Sequence, residues 1–448
     1  MKQGSQDLTQ GSLWKKILLF GYPLMISNIL QALFNLSDIA VVGRFAGSTA
    51  LGAVGSTTTL VMLFNVFLIG MGSGVNVLVA RFFGSDKEKD VMETVHSAAI
   101  LCLITGIVVM FFGQVATKQI LVLMGTKAEV MDGAVRYLRI YLLGMPALAV
   151  YNFGNGVFSA VGDTKKPLYF LSAAGVVNVC LNLFFVIVCS MDVAGVATAS
   201  VIAQYISATL IVLALVLSRE MFGLHFNKLQ IYQSKAKMIL SIGISSGFQS
   251  AIFQIANLFI QAGVNRFSAT MVAGNAAAAN TDTLVYDVMG AFYIACSSFI
   301  GQNFGAGKKE RVRKTYFISL TYSFGAGAVL GLLLVIFGHG FLSLFTKESQ
   351  VVDAGMHRLL IMSFSYAFSA FMDCTIAASK GLGKVLWPTV IVIMGSCVFR
   401  VIWIYTVFAY FGTIQSLYLL YIFSWGITAI AEILYFKYIF RKCVTELS

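Results

Sequence analysis

The chain has 448 residues, 58% of them hydrophobic and only 11% charged, with a formal net charge of +12. That balance excludes a soluble globular protein of this size. Because the cations sit in short clusters between apolar runs, where they set topology, it also excludes nucleic acid as a partner. A spanning helix takes roughly 20 apolar residues, so about twelve passes leave no room for a large soluble domain.

After about a dozen polar residues, Lys15 and Lys16 open an apolar stretch too long for the core of a cleaved signal peptide, so it is expected to remain as the first pass. Apolar runs bounded by charge and by Gly or Pro then predict spans at 15–42, 50–80, 94–116, 131–160, 168–189 and 194–218. A second six follow at 238–264, 272–301, 315–338, 355–379, 386–410 and 416–440. With the N-terminus inside, and with cations near a span end counted with the adjoining loop (Arg358 among the outer ones), 22 of the 31 Lys and Arg fall on the inner side and eight on the outer, leaving Arg400 alone deep within a span. This predicts a multi-pass protein of the cell (cytoplasmic or inner) membrane, with both termini cytoplasmic. Pro23 falls inside span 1 and Pro146 inside span 4, where each permits a bend. The seven cysteines, nearly all in apolar runs and without a C-x-x-C, are expected to be small core residues. No G-x-x-x-x-G-K-[ST] cradle for ATP is present, so active transport would draw on an ion gradient or a separate subunit, with no cofactor expected.

The two halves correspond. Ala80-Arg81-Phe82-Phe83-Gly84-Ser85-Asp86-Lys87 aligns with Gly301-Gln302-Asn303-Phe304-Gly305-Ala306-Gly307-Lys308, and Gly162-Asp163-Thr164-Lys165-Lys166-Pro167 aligns with Gly383-Lys384-Val385-Leu386-Trp387-Pro388, both at an offset of 221 residues. Six spans per half is an even number, so the repeats should be parallel. The expected fold is an all-α integral membrane protein of twelve transmembrane helices in two six-helix lobes, related by a pseudo-two-fold axis along the membrane normal. The lobes are placed at 1–218 and 238–448, with 219–237 as a cytoplasmic linker and natural hinge. Transporters of this design often bind substrate between the halves and rock one against the other.

Asn28, Gln31, Asn35 and Asp38 recur at intervals of 3, 4 and 3 in span 1 and so share one helix face. A carboxylate near mid-bilayer costs a few kcal/mol or more, so Asp38 is expected to face a wet cavity and to mark an ion pathway. Span 7 repeats the stripe with Ser246, Ser250, Gln254, Asn257 and Gln261 but has no acid. Span 5 adds Asn178 and Asn182, and span 4 adds Asn152 and Asn155. Amide and carboxylate oxygens around Asp38, Asn178 and Asn182 would suit Na⁺, or a proton held as a carboxylic acid; ordinary interhelical hydrogen bonding explains these asparagines equally well. Asp287 and Asp373 are candidates for contact with ion or substrate, and Asp282 lies in the outer part of span 8. Arg400 needs an anion, which Glu432 or Asp373 would supply as a structural pair. The surplus of acids over Arg400 suggests a cavity attractive to cations. No His-Glu or Ser-based constellation points to an enzyme.

Several of these segments together resemble the multidrug and toxic compound extrusion (MATE) family, particularly its bacterial DinF-like branch: Gln31 to Asp38 followed by Val42-Gly43-Arg44-Phe45, Gly162 to Lys165, Asn178 to Asn182, and Gly301 to Gly307. The resemblance spans nearly the whole chain. It implies a monomeric antiporter that exports cationic or amphipathic drugs in exchange for H⁺ or Na⁺. Asp38 matches the family's first-helix carboxylate, the ion carrier, and Pro23 matches a proline whose helix is proposed to bend when that carboxylate changes state. Asn178 and Asn155 match asparagines of the same cluster. Asn182 departs from the pattern, since many DinF-like members carry Asp there; either Asp38 carries the ion alone or coupling has moved toward the C-terminal lobe. Asp373 lies near an acid of the NorM-like branch. Gln31, Asn35, Gln254, Asn257, Gln261, Asp287 and Asp373 would then line the substrate cavity. The alternative function is a flippase for a lipid-linked sugar or precursor, which would more often carry several cavity cations where this chain has Arg400 nearly alone.

Overall fold

The computed structural model describes residues 7–343, 346 and 348–446, and among them regular structure is helical only. Lys2 of the N-terminal basic cluster lies outside the described residues. In chain order the helices are α1 (Leu13–Val41), α2 (Gly47–Gly84), α3 (Glu88–Leu123), α4 (Ala128–Leu142), α5 (Met145–Ala160), α6 (Lys165–Leu183) and α7 (Asp192–Val216). They continue with α8 (Gln233–Val264), α9 (Ala269–Gly305), α10 (Lys309–Leu342), α11 (Ser349–Gly381), the short α12 (Leu386–Val392), α13 (Phe399–Trp403) and α14 (Ala409–Phe411), and α15 (Ile414–Glu446).

Ten stretches of the described residues are long and apolar enough to cross a bilayer. One of them, Leu13–Gly84, holds two passes parted at Gly47, whose φ of +89° is open to glycine at little cost. The expected fourth span, 131–160, is not one helix: it breaks at Leu143 and Gly144 into α4 and α5, which together complete the twelve passes. Pro146 falls in the first turn of α5, where its missing N–H removes no helical bond, so the sequence that was expected to bend a helix starts a new one. Five of the seven cysteines are buried as expected, but Cys180 and Cys189 are exposed.

The internal repeat extends to the backbone. Asp86 and Gly307, aligned in sequence, both adopt positive φ (+54° and +69°), and each is followed by the same helix-ending bond: Lys87 N–H to Phe82 O at 3.1 Å and Lys308 N–H to Asn303 O at 2.8 Å. Gly162 and Gly383 form the second such pair (φ +88° and +76°), closed by Asp163 N–H to Phe158 O at 2.9 Å and Lys384 N–H to Ser379 O at 3.0 Å.

The helices assemble into two compact units, one built around Ile26–Phe248 and the other from Leu8–Met25 together with Gln249 onward. The division departs from the boundaries drawn from sequence. In the first unit, α2, α4, α5 and α7 meet in a core that includes Leu68, Leu138, Leu142, Met145 and Val196. The head of α8 seats on α2 there: a Cβ on Gly74 would lie 2.8 Å from the backbone N of Gly243, so only a residue without a side chain allows this approach. The 219–237 segment is docked on α3, with Tyr232 N–H donating to Ser97 Oγ (2.9 Å), His225 N–H donating to His96 Nε2 (3.0 Å) and Lys235 paired with Asp90.

In the second unit, α9, α11 and α15 enclose Met289, Leu359, Tyr366, Ala370, Leu417 and Tyr418. Leu13, Ile17 and Phe20 from the head of α1 pack against Phe292, Ala295 and Phe299 of α9. The backbone ahead of α1 is held by the 301–308 loop and its neighbour: Gln302 Oε1 accepts from Leu8 N–H (3.1 Å), Lys308 Nζ donates to Thr9 O (2.8 Å) and Arg311 Nη1 donates to Gly11 O (2.9 Å). Pro23, buried, lies just ahead of the crossing at Met25–Ile26 where α1 passes from one unit to the other.

Candidate functional site

The register of α1 against α6 is set by size. Phe34 packs over Gly175, where any side chain would collide with the ring, and one turn later Asp38 meets the Asn178 and Asn182 face of the same helix. Asp38 is half-buried, and both of its oxygens are engaged. Asn182 Nδ2 donates to Oδ1, and Ser200 Oγ on α7 donates to Oδ2 at 3.1 Å. Behind them Asn178 accepts from Asn182 (3.2 Å) and donates to Ser200 (3.3 Å), which closes a four-residue ring of hydrogen bonds. Asn178, Asn182 and Ser200 are 5%, 0% and 7% exposed, so the carboxylate is turned into the helix bundle rather than outward. Tyr137 and Tyr141 of α4 lie within its electrostatic reach. A carboxylate in such a place is stabilised only by the donors aimed at it. It can be exchanged between a charged form that uses those donors and a form neutralised by a proton or a monovalent cation.

The helices around this cluster are locally irregular. A π segment, Val42–Ala46, follows α1 four residues after Asp38, and another, Phe184–Val188, follows α6 two residues after Asn182. Such segments free backbone groups and concentrate at functional sites.

The structure does not bring every sequence candidate to Asp38. Asn155 is outside the hydrogen-bonded ring around Asp38: its Oδ1 accepts from Ser159 Oγ of its own helix (3.5 Å), and on the same helix Gly156 O accepts from Asn76 Nδ2 of α2 (3.3 Å). Asn152 likewise bonds back to Leu148 O (3.0 Å). Gln31 and Asn35 are exposed on α1, and Asn28 is half-buried. Ser200 was missed. It opens a polar series with Gln204 and Ser207, at intervals of 4 and 3 on one face of α7, and that spacing is the signal that marks it.

The second unit carries a larger polar network. Arg358 Nη2 and Nε donate to Asp282 Oδ2 (2.6 and 3.0 Å), Arg358 Nη1 donates to Asn275 Oδ1 (2.9 Å), and Tyr366 Oη donates to Asp282 Oδ1 (2.6 Å). Tyr418 Oη also donates to Asn275 Oδ1 (3.0 Å), and Asn275 Nδ2 donates to Gln261 Oε1 (3.2 Å). Two expectations fall here. Arg400 is not the one cation inside a span, since Arg358, assigned to the outer side, is 7% exposed within α11. The acid surplus shrinks accordingly, because Asp282 is spent on Arg358. Asn275 and Asp282, seven residues apart on one face of α9, were the signal that a buried donor had to stand opposite.

The expected Arg400–Glu432 pair is absent as well. Arg400 Nη1 donates to Asn257 Oδ1 (2.8 Å) and Nε reaches Ser424 Oγ (3.5 Å), whereas both Glu432 oxygens are buried without a hydrogen bond among the described residues. Glu432 lies eight residues beyond Ser424 on α15, about 12 Å along the helix, which is too far for one guanidinium to serve both. Asp373 accepts from Ser369 Oγ (2.8 Å), Asp287 is half-buried on α9, and Gln254 is half-buried on α8. No cluster of three or more His, Cys, Asp or Glu suited to a metal ion occurs among the described residues.

A family model described as MatE matches the chain twice, over residues 23–184 and 245–406, in keeping with the internal repeat. Among curated relatives, the probable multidrug resistance protein YoeA of Bacillus subtilis (strain 168) is 28% identical over 396 residues, covering 86% of this chain and 85% of that protein. The probable multidrug resistance protein YpnP of the same organism is 29% identical over 364 residues, 81% of each chain. A solved structure described as the outward-facing conformation of a multidrug resistance MATE family transporter of the MOP superfamily superposes with a TM-score of 0.90. It covers 98% of both chains at 21% identity, a likeness of fold.

Proposed function

Because the chain belongs to the MatE family of multidrug efflux transporters, we propose that it is a secondary active antiporter that exports cationic or amphipathic organic compounds in exchange for H⁺ or Na⁺. It would act as a monomer in the cell membrane with both termini cytoplasmic. The observation that carries this is Asp38, an intramembrane carboxylate whose two oxygens take donors from two other helices. When charged, it draws α6 and α7 onto α1 through Asn182 and Ser200. When neutralised by a proton, it loses the charge-assisted part of both bonds, and α1 is freed to bend at Pro23. For Na⁺, the oxygens of Asp38, Asn178, Asn182 and Ser200 offer hard donors of the required kind. Alternating access of the two lobes would turn that local change into expulsion of substrate.

One elementary charge moving down 100 mV supplies about 2.3 kcal/mol, roughly a fifty-fold gradient of a neutral substrate. The test is export in everted vesicles with ΔpH and a Na⁺ gradient imposed separately, wild type against Asp38→Asn. Export driven by at least one gradient in wild type and absent from the variant, with normal membrane insertion, is the expected result. Full gradient-driven export by the variant removes Asp38 as the carrier.

A further inference from the structure

Arg400 is fully buried, and no acid forms an ion pair with it among the described residues, although Asp373 lies within its electrostatic reach. Nη1 donates to Asn257 and Nε reaches Ser424, but Nη2 has no hydrogen-bond partner among the described residues. The guanidinium carbon lies 4.5 Å from the ring centre of Phe253, 5.0 Å from that of Tyr421 and 5.7 Å from that of Trp425. Asp282 is held by Arg358, Asp373 accepts from Ser369 and acts on Arg400 only at a distance, and Glu432 is about two helical turns farther along α15 than Ser424. A buried cation without a hydrogen-bonded counter-ion is costly, and aromatic faces offset only part of that cost. The unpartnered Nη2 leaves a buried donor that an added anion would satisfy.

Arg400 also stands where the chain is least regular. The π segments Ile393–Val398 and Ile404–Phe408 flank the single turn that carries it. At the 221-residue offset, Asn178 and Asn182 correspond to Phe399 and Trp403, which bracket Arg400, and Asp38 corresponds to Phe259, two residues from Asn257. In one half this region holds an acid with amide donors, and in the other a base with an amide acceptor.

We propose that Arg400, with Asn257 and the rings of Phe253, Tyr421 and Trp425, is a subsite for the carboxylate of a planar aromatic substrate. Asn257 Oδ1 holds the place of one carboxylate oxygen. When the amide swings aside, Nη1 and the unpartnered Nη2 present the forked edge that accepts a carboxylate through two parallel bonds, while the rings stack on the aromatic body. Phe253 and Asn257, both half-buried on α8, form the layer through which the ligand enters. The proposal rests on the export function and narrows its substrates to amphipaths with an aromatic carboxylate.

The test is calorimetric titration of the purified, detergent-solubilised full chain with 1-naphthoate and with its neutral amide, 1-naphthamide. Wild type is expected to bind naphthoate the more tightly. Arg400→Gln is expected to lose tenfold or more for naphthoate, to keep its naphthamide affinity and thermal midpoint, and to be partly rescued by Arg400→Lys. Asn257→Ala, which removes the competing amide and leaves the cation, is expected to bind naphthoate at least as tightly as wild type; this arm stands even where Arg400→Gln does not fold. Equal affinity for the two ligands in wild type, unchanged naphthoate binding by Arg400→Gln, or weakened naphthoate binding by Asn257→Ala would each overturn the subsite. These titrations involve no ion gradient, so they fail or succeed independently of the Asp38→Asn export assay.

Discussion

Removing one member of the Arg358–Asp282 pair is the sharpest stability test the structure offers. The two side chains are 9% and 8% exposed, and Arg358 donates three hydrogen bonds, two to Asp282 and one to Asn275. Arg358→Met keeps most of the side-chain volume and deletes all three, leaving Asp282 with Tyr366 alone. Breaking a buried pair from one side costs about 3–5 kcal/mol, because the remaining charge is uncompensated; replacing both members is often close to neutral. Arg358→Met should therefore destabilise by about 3–5 kcal/mol, while Asp282→Asn/Arg358→Met should recover about 2 kcal/mol or more of that loss. Reversible SDS unfolding of the micellar protein, followed by tryptophan fluorescence, measures both. A single variant within about 1 kcal/mol of wild type, or a double variant no more stable than the single, refutes the account of a low-dielectric pair held by mutual neutralisation.

The remaining predictions concern the first unit, with one control in the second. Ser200→Ala removes one of the two donors to Asp38, and a hydrogen bond to a charged group is worth about 1.5–3 kcal/mol; gradient-driven export should fall about tenfold or more while Ser200→Thr stays near wild type, and equal export by the Ala variant would sever Ser200 from the site. Gly74→Val places methyl groups against the Gly243 backbone and should cost about 1–3 kcal/mol of stability by overpacking. Gly325→Ala, whose added Cβ meets no atom within 4 Å, is the matched control and should leave the thermal midpoint in place.

The passes and the repeat were legible because both rest on local signals: apolar length, charge clusters, and turn residues that recur at a fixed offset. Asp38 with Asn178 and Asn182 was legible for a similar reason, since a carboxylate and amides at helical spacing cannot face lipid cheaply. Tertiary partners were not. Which anion answers Arg400 depends on helix rotation and on distance along α15, and aromatic rings, abundant everywhere in this chain, carry no marker of the three that enclose it. Arg358 was assigned to the outer side because its span begins only a few residues earlier, and a cation near a helix end is ordinarily wet. The break at Leu143 and Gly144 was hidden by continuous apolarity on both sides of it.

The course of α1 gives the proposed coupling a physical route. Its head is packed through Leu13, Ile17 and Phe20 in one unit, and its tail presents Asp38 to Asn182 and Ser200 in the other. The fifteen residues between Pro23 and Asp38 span about 22 Å of one helix, too stiff to absorb a change at one end except at the proline, where a helical hydrogen bond is already missing. The first helix of the second repeat is laid out in the same way, with Gly243 against α2 in one unit and Asn257 on Arg400 in the other. On the proposed reading, a charge change at Asp38 or an anion at Arg400 would act on a helix whose head is packed in one unit and whose tail is packed in the other.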